Sequence, residues 1–400
     1  MPQTQGVHAV TTPARQRYAF ALLAYAFTAV MLGTTLPTPM YALYADRMHF
    51  AVLTTTVVFA TYTGGVLLAL LVFGGWSDAI GRRPVLVAGA VAALVSAVVF
   101  LFAHSVPELL AGRFFSGLSA GLFTGTATAA VIEAAPQSWR TRAAVVATVA
   151  NTGGLGLGPL VAGLLVQYAP MPLHLSFMVH IVLVLLAVAA VLFAAETSQR
   201  QGTLGFQRLS VPPQTRSIFV VAATAAFAGF AVLGLFTAVA PSFLASVIGI
   251  GNHAVAGAIA ASAFAASAGA QAAAGAIAPL RAIAIGCAIL VVGMGLLVVA
   301  LHSSSLMLLI TAAVSSGVGQ GISFGRGLAA VAQLTPPERR AEVSSAYFVV
   351  AYVALSMPVI GEGLAAQRWG LRTAGISFAV AVAILALLCL IAVLLHRRRG

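Results

Sequence analysis

The feature that most limits this chain is its shortage of charge. Only 7% of its 400 residues are Asp, Glu, Lys or Arg, while 61% are hydrophobic and the mean hydropathy is +1.04. A soluble chain carries about 25% charged residues, so a water-soluble globule is excluded. Lipid is the solvent that this composition fits. A membrane helix needs about 20 apolar residues, and twelve such runs are legible: 18–43, 52–73, 85–104, 108–132, 143–168, 173–195, 217–247, 254–277, 282–301, 305–332, 342–366 and 373–395. The first is too long for a signal h-region and lacks a clear small-residue cleavage site, so it reads as a span. The eighth, rich in Ala and Gly, is the weakest by hydropathy, although small residues allow close helix packing.

The charge that is present is one-sided. All twenty basic residues are Arg, against eight acids, for a net charge of +12. Nucleic-acid binding would need that charge gathered on one soluble face. Here single arginines and pairs punctuate the apolar runs instead. With the N-terminus inside, fifteen arginines fall in inner segments and only Arg47, Arg368 and Arg372 in outer ones; Arg113 and Arg326 fall within spans. This bias predicts both termini in the cytoplasm and supports an even number of spans that includes the eighth. Cys287 and Cys389 both lie in apolar runs, so neither a disulfide framework nor a metal cluster is expected. No cofactor is implied.

A polar stretch divides the chain into a six-span unit over 1–195, a cytoplasmic linker over 196–216 and a second six-span unit over 217–400. The halves repeat at an offset of 200: Ser116-Gly117, Gly121 and Gly125 return as Ser316-Gly317, Gly321 and Gly325, and Pro136, Arg140 and Gln167 as Pro336, Arg340 and Gln367. Two parallel copies related by an axis along the membrane normal predict an all-α protein of two pseudo-symmetric six-helix bundles. A substrate site would then lie between them near the midplane.

Three segments carry chemistry. The inner loop after span two reads Gly74-Gly75-Trp76-Ser77-Asp78-Ala79-Ile80-Gly81-Arg82-Arg83. Glycines permit a tight reversal, the carboxylate can cap a helix, and the arginines can reach carboxylates. Span four contains Arg113 followed by Gly117 and Gly121. Span five carries Gly154, Gly158-Pro159 and Gly163, a pattern suited to kinking and close approach. The loop resembles the GxxxDxxGRR/K signature of the major facilitator superfamily, and the span-four segment resembles that family's RxxxGxxxG segment. Span five resembles the gxxxGPxxGG signature of its 12-span drug:proton antiporters, with Ala162 at one family Gly. The resemblance covers nearly the whole chain. It implies that Gly74, Asp78, Gly81, Arg82 and Arg83 form a cytoplasmic latch between the halves, and that Arg113 takes part in proton coupling.

Coupling also needs a group that gains and loses a proton. Glu133, at the inner end of span four, can join the latch or remain a solvated helix-end carboxylate. Glu362 in span eleven can titrate from an outer vestibule or pair with Arg368. Asp46 beside Arg47 is interfacial or a proton site, and His180 in span six is a buried neutral imidazole or a proton carrier. Glu108, in Ser105-Val106-Pro107-Glu108, fits a capping box instead. Span one has no acidic residue in its middle, whereas many cation exporters of the family do. Thr34, Tyr41, Gln271 and Arg326 are the candidates for the cavity wall, and Arg326 would bias that cavity positive.

The expected function is export of a small neutral, zwitterionic or anionic amphipathic molecule, such as a drug or metabolite, from a bacterial inner membrane. The driving force would be the proton gradient, and the working unit a monomer. An uptake symporter for a small metabolite and, more remotely, a non-transporting membrane receptor are the alternatives. Without a nucleophile–base pair or a metal cluster, no enzyme is expected.

Overall fold

The computed structural model describes residues 13–198, 200, 204–207 and 209–399; Arg208, one of the fifteen inner arginines, lies outside them. Twelve helices among the described residues are long and apolar enough to span a membrane. They are α1 (Ala14–Met48), α2 (Val52–Phe73), α3 (Arg82–Leu101), α4 (Val106–Ala134), α5 (Arg142–Tyr168), α6 (Leu175–Phe193), α7 (Pro213–Ala238), α8 (His253–Ala276), α9 (Pro279–Ser303), α10 (Leu306–Gln333), α11 (Arg340–Trp369) and α12 (Leu371–Leu395). An even number returns the chain to the face it started from, here the termini face; the opposite one is the far face.

Some helix ends depart from the apolar runs for identifiable reasons. α1 is continuous only to Thr35, tightens into a 3-10 turn over Thr38–Met40 and resumes over Tyr41–Met48. Pro37 and Pro39 cannot donate to an α-helical ladder, so the chain takes the tighter turn there. The less apolar segment beyond it, ending at exposed Asp46 and Arg47, therefore still belongs to the span. Pro279 starts α9, where its missing N–H costs nothing, and this puts Arg281 in the first turn of the helix rather than in a loop. Arg368 likewise lies in the last turn of α11.

Each bundle follows one packing plan. In the first, α4 packs on α1, α2 and α3, α1 also meets α5 and α6, and α3 meets α6. In the second, α10 packs on α7, α8 and α9, α7 also meets α11 and α12, and α9 meets α12. The bundles meet mainly where α2 lies along α11 and α5 along α8. Lipid gives apolar helices no reason to prefer one another, so these seams depend on small residues and hydrogen bonds. A Cβ on Gly257 of α8 would meet the Pro159 carbonyl of α5, and one on Gly363 of α11 would meet Thr56 of α2. The Gln167 side chain accepts from the His253 N–H at 2.9 Å, the Thr63 hydroxyl donates to the Tyr352 carbonyl at 3.2 Å, and it also bonds Ser356. All of these contacts lie between mid-membrane and the far face.

Candidate functional site

Between the bundles, closed off by those far-face contacts, is a narrow cavity. Its first-bundle wall is mainly polar: Thr34, Thr35, Arg113, Thr124, Asn151 and Thr152. Its second-bundle wall is half aromatic, with Phe230, Phe264, Phe324, Phe348 and Tyr352 beside Leu233, Leu355, Thr237, Gln271 and Gln320. It shares Thr124 and Phe348 with a second cavity that reaches Asp78, Arg82, Gln207 and Ser344 at the termini face.

Among the described residues Arg113 is the one charged side chain on the central wall, and it is 2% exposed. A cation at that depth is costly unless protein solvates it. α4 places it where Nη1 donates to the Thr34 carbonyl at 2.5 Å and Nη2 to the Phe59 carbonyl at 3.4 Å. The guanidinium carbon lies 4.7 Å from the Tyr62 ring centroid and 5.3 Å from that of Phe59, so two π faces share its charge. The glycines that follow serve packing instead. Gly117 meets the Tyr62 backbone and Gly121 meets Val66 and Ala69, letting α2 and α4 approach closely.

The glycines of α5 serve two neighbours. Gly154 and Gly158 lie against α1, whereas Gly163 lies against α8. Pro159, inside the helix, has no N–H for the Leu155 carbonyl, and the Thr35 hydroxyl donates to that carbonyl instead, at 2.6 Å. Just before this segment, Val149–Gly153 forms a π-helical turn that carries Asn151 and Thr152 to the cavity wall. Asn151 Oδ1 has no partner there. On the opposite wall the Ser267 hydroxyl donates to Gln320 Oε1 at 2.5 Å and accepts from Gln271 Nε2 at 3.1 Å.

The termini-face loop is organised around Arg82. It pairs with Asp78 at 2.6 Å and makes a two-pronged contact with Glu133 at 2.9 and 3.3 Å. Gly74 opens the reversal, packed beside Gln207 of the linker. Gly81 has φ +110°, which a side chain rarely adopts, and a Cβ there would meet the Glu196 carboxylate. That carboxylate caps α3, accepting from the backbone N–H of Arg82 at 2.8 Å and of Arg83 at 3.1 Å. Arg83 in turn donates to the Ala194 carbonyl. Burial pushes the Glu196 carboxyl up, but the N–H groups of Ser198, Arg82, Arg83 and Thr197 outweigh it and hold the group below the usual range. Sequence reasoning missed Glu196 because its cap is made more than a hundred residues away in the chain. No local pattern marks it.

The other candidates are dispersed. Thr34 and Gln271 are on the central wall, but Tyr41 and Arg326 are not among its lining residues. Tyr41 is buried beyond the break in α1, its hydroxyl unpartnered, and Arg326 is half-buried with an unpartnered Nε. His180 lies against Gly33 in a small pocket with Ser96, Ser116 and Ser119, hydrogen-bonded to the Ala29 carbonyl with Nε2 unpartnered. Glu362 is 3% exposed and both carboxyl oxygens lack a partner. It borders a separate cavity between α7, α11 and α12, on the side of α7 away from the central one. Ser105 and Glu108 form the capping box of α4.

The chain matches the family model described as Major Facilitator Superfamily over residues 19–357. It is 27% identical over 204 residues to the Multidrug resistance protein MdtM of Salmonella typhimurium, covering 50% of this chain and 48% of that one. It is 28% identical over 154 residues to the Multidrug transporter MdfA of Yersinia pestis, covering 38% of this chain and 37% of that one. The matched stretches thus span about half or less of these relatives. Among solved structures, it resembles a bacterial homologue of the human lysosomal transporter Spinster in an inward-facing, unoccupied conformation. The TM-score is 0.73 at 15% identity, over 96% of this chain and 98% of that one, a likeness of fold.

Proposed function

The chain belongs to the Major Facilitator Superfamily, and from that premise we propose that it is a proton-coupled exporter of small amphipathic molecules. It is a multi-pass membrane transporter rather than an enzyme. The observation that carries the finer reading is the central cavity, shut toward the far face and sharing Thr124 and Phe348 with a second cavity at the termini face. Such a cavity loads from one side, and rocking of the two bundles about it would unload to the other. The arginine bias supports a cytoplasmic termini face, and the named bacterial relatives support an inner membrane. Loading from the cytoplasm is what an exporter requires. The cavity is walled within one chain, which supports action as a monomer.

Proton coupling rests on two groups. Arg113 ties α1, α2 and α4 together beside the substrate space. Glu362 carries the proton in this reading, being an acid buried inside a span with neither a cation nor a hydrogen-bond donor to neutralise it. Its exchange of protons with water would run through the cavity between α7, α11 and α12 that it borders. The latch residues would engage α11 across the termini-face cavity when that side closes. The test is a growth-inhibition panel of chemically varied toxic compounds on expressing and non-expressing cells. Protection with lowered accumulation of the same compounds supports export; raised accumulation would replace it with uptake.

A further inference from the structure

The electrostatics of the central cavity select a substrate class within the exporter reading, on which this inference rests. We propose that the cavity takes uncharged or anionic aromatic amphiphiles and rejects lipophilic cations. Among the described residues the wall carries one charge, Arg113, and no carboxylate. The nearest acids to the path, Asp78 and Glu133, are already engaged by Arg82 at the termini face. A cationic ligand in the cavity would therefore lie near a like charge, away from water, with no counter-ion.

Aromatic rings could in principle compensate, because a π face attracts a cation. The faces nearest the polar wall, Phe59 and Tyr62, are already taken by the Arg113 guanidinium. On the opposite wall Phe230 and Phe324 meet edge to face at 4.8 Å, and Phe324 meets Phe348 the same way at 6.0 Å. These rings offer an apolar, ring-shaped surface, and a cation–π contact with them is weak beside the cost of an unpaired buried charge.

The two walls also set the ligand's orientation. A ring or fused ring would lie against the phenylalanines, with its polar end toward Thr34, Asn151 and Thr152. Unpartnered Asn151 Oδ1 accepts a hydrogen bond and its amide NH₂ donates. A carboxamide matches that pair, while a carboxylate gains from the potential of Arg113. A trimethylammonium group can neither donate to Asn151 nor approach Arg113 without penalty.

The test uses the full-length purified protein and three probes on one scaffold: 2-naphthamide, 2-naphthoate and (2-naphthylmethyl)trimethylammonium. Affinity is measured by tryptophan quenching and thermal shift, at pH 7 and without any gradient. The amide and carboxylate are expected to bind at least tenfold more tightly than the ammonium. Asn151→Asp, an isosteric change that puts a carboxylate on the wall, is expected to reverse the order in favour of the ammonium, and Thr152→Glu provides the same reversal at a neighbouring position. Equal or tighter binding of the ammonium by the unaltered protein overturns the proposal, as does failure of all three probes to bind at millimolar concentration. Loss of the exporter reading shows elsewhere, as raised accumulation in cells or flux indifferent to a proton gradient, whatever these affinities are.

Discussion

Arg113 of α4 and Ala313 of α10 hold the same place in the two-fold repeat, as do Glu133 and Gln333, and Ala162 and Glu362. The bundles share their helix packing plan but not their charges. The first concentrates its polar groups at the central cavity and at the termini-face loop. The second lines the cavity with phenylalanine and keeps its buried acid on the far side of α7. In the proposed function, packing symmetry would let the halves rock as matched bodies. The asymmetry of charge would divide the roles, with Arg113 and the latch in the first bundle, the proton-carrying acid in the second, and the substrate space walled by both. Substitutions at matched positions should therefore differ greatly in effect.

The largest difference is expected at the first pair. Arg113→Ala strips donors from the buried Thr34 and Phe59 carbonyls, each costing about 1–3 kcal/mol. Flux in reconstituted vesicles should fall by about a hundredfold, while Ala313→Ser at the matching site changes it less than twofold. Arg113→Lys should recover little, since an ammonium cannot reproduce the planar fork. Similar losses at both positions would show that the two bundles do not differ in this role.

Next, Glu362→Gln is expected to retain downhill flux and lose about tenfold in gradient-driven accumulation, measured in the same vesicles. Glu362→Asp should keep a gradient response, which a purely structural role would not restore. A smaller effect is expected at the seam. Gly257→Leu would push a side chain against the Pro159 carbonyl, an overpacking cost of about 1–3 kcal/mol. Cross-linking of cysteines placed at Gln167 and His253 should drop and flux should fall several-fold.

The termini-face loop gives the smallest effects. Glu133→Gln removes the two-pronged pairing with Arg82 at a partly exposed site, where ion pairs contribute up to about 1 kcal/mol. A two- to fivefold loss of flux is expected. Glu196→Gln weakens the cap on α3 and should lower the midpoint of thermal unfolding slightly at pH 7. Because the folded carboxyl titrates below its usual value, its contribution is complete above the unfolded value. It fades as pH falls through the folded one, so the difference should vanish in acid.

How much of this was legible in the sequence depends on the range of the interaction. Long apolar runs mark all twelve spans because burial in lipid is a local requirement, and the arginine pattern supported the Ala/Gly-rich α8 where hydropathy was weakest. Pro37 and Pro39 were visible, but that α1 continues past them to Met48 was not, since packing rather than hydropathy holds its last turns. Asp78, Arg82 and Glu133 come together as their spacing and positions suggested. The Glu196 cap, the Thr35 hydroxyl replacing the N–H that Pro159 lacks, and the backbone carbonyls around Arg113 are contacts between distant segments with no local pattern. Arg326 shows the reverse case: a charge inside a span drew attention to the cavity, but the helix turns it off the wall.

Whether a proton gradient drives export through this cavity can be measured in inside-out membrane vesicles with an acidified lumen. Concentrative uptake of a compound identified in the growth panel is expected, abolished when a protonophore collapses the gradient. Uptake of equal rate and extent with and without the gradient would contradict it.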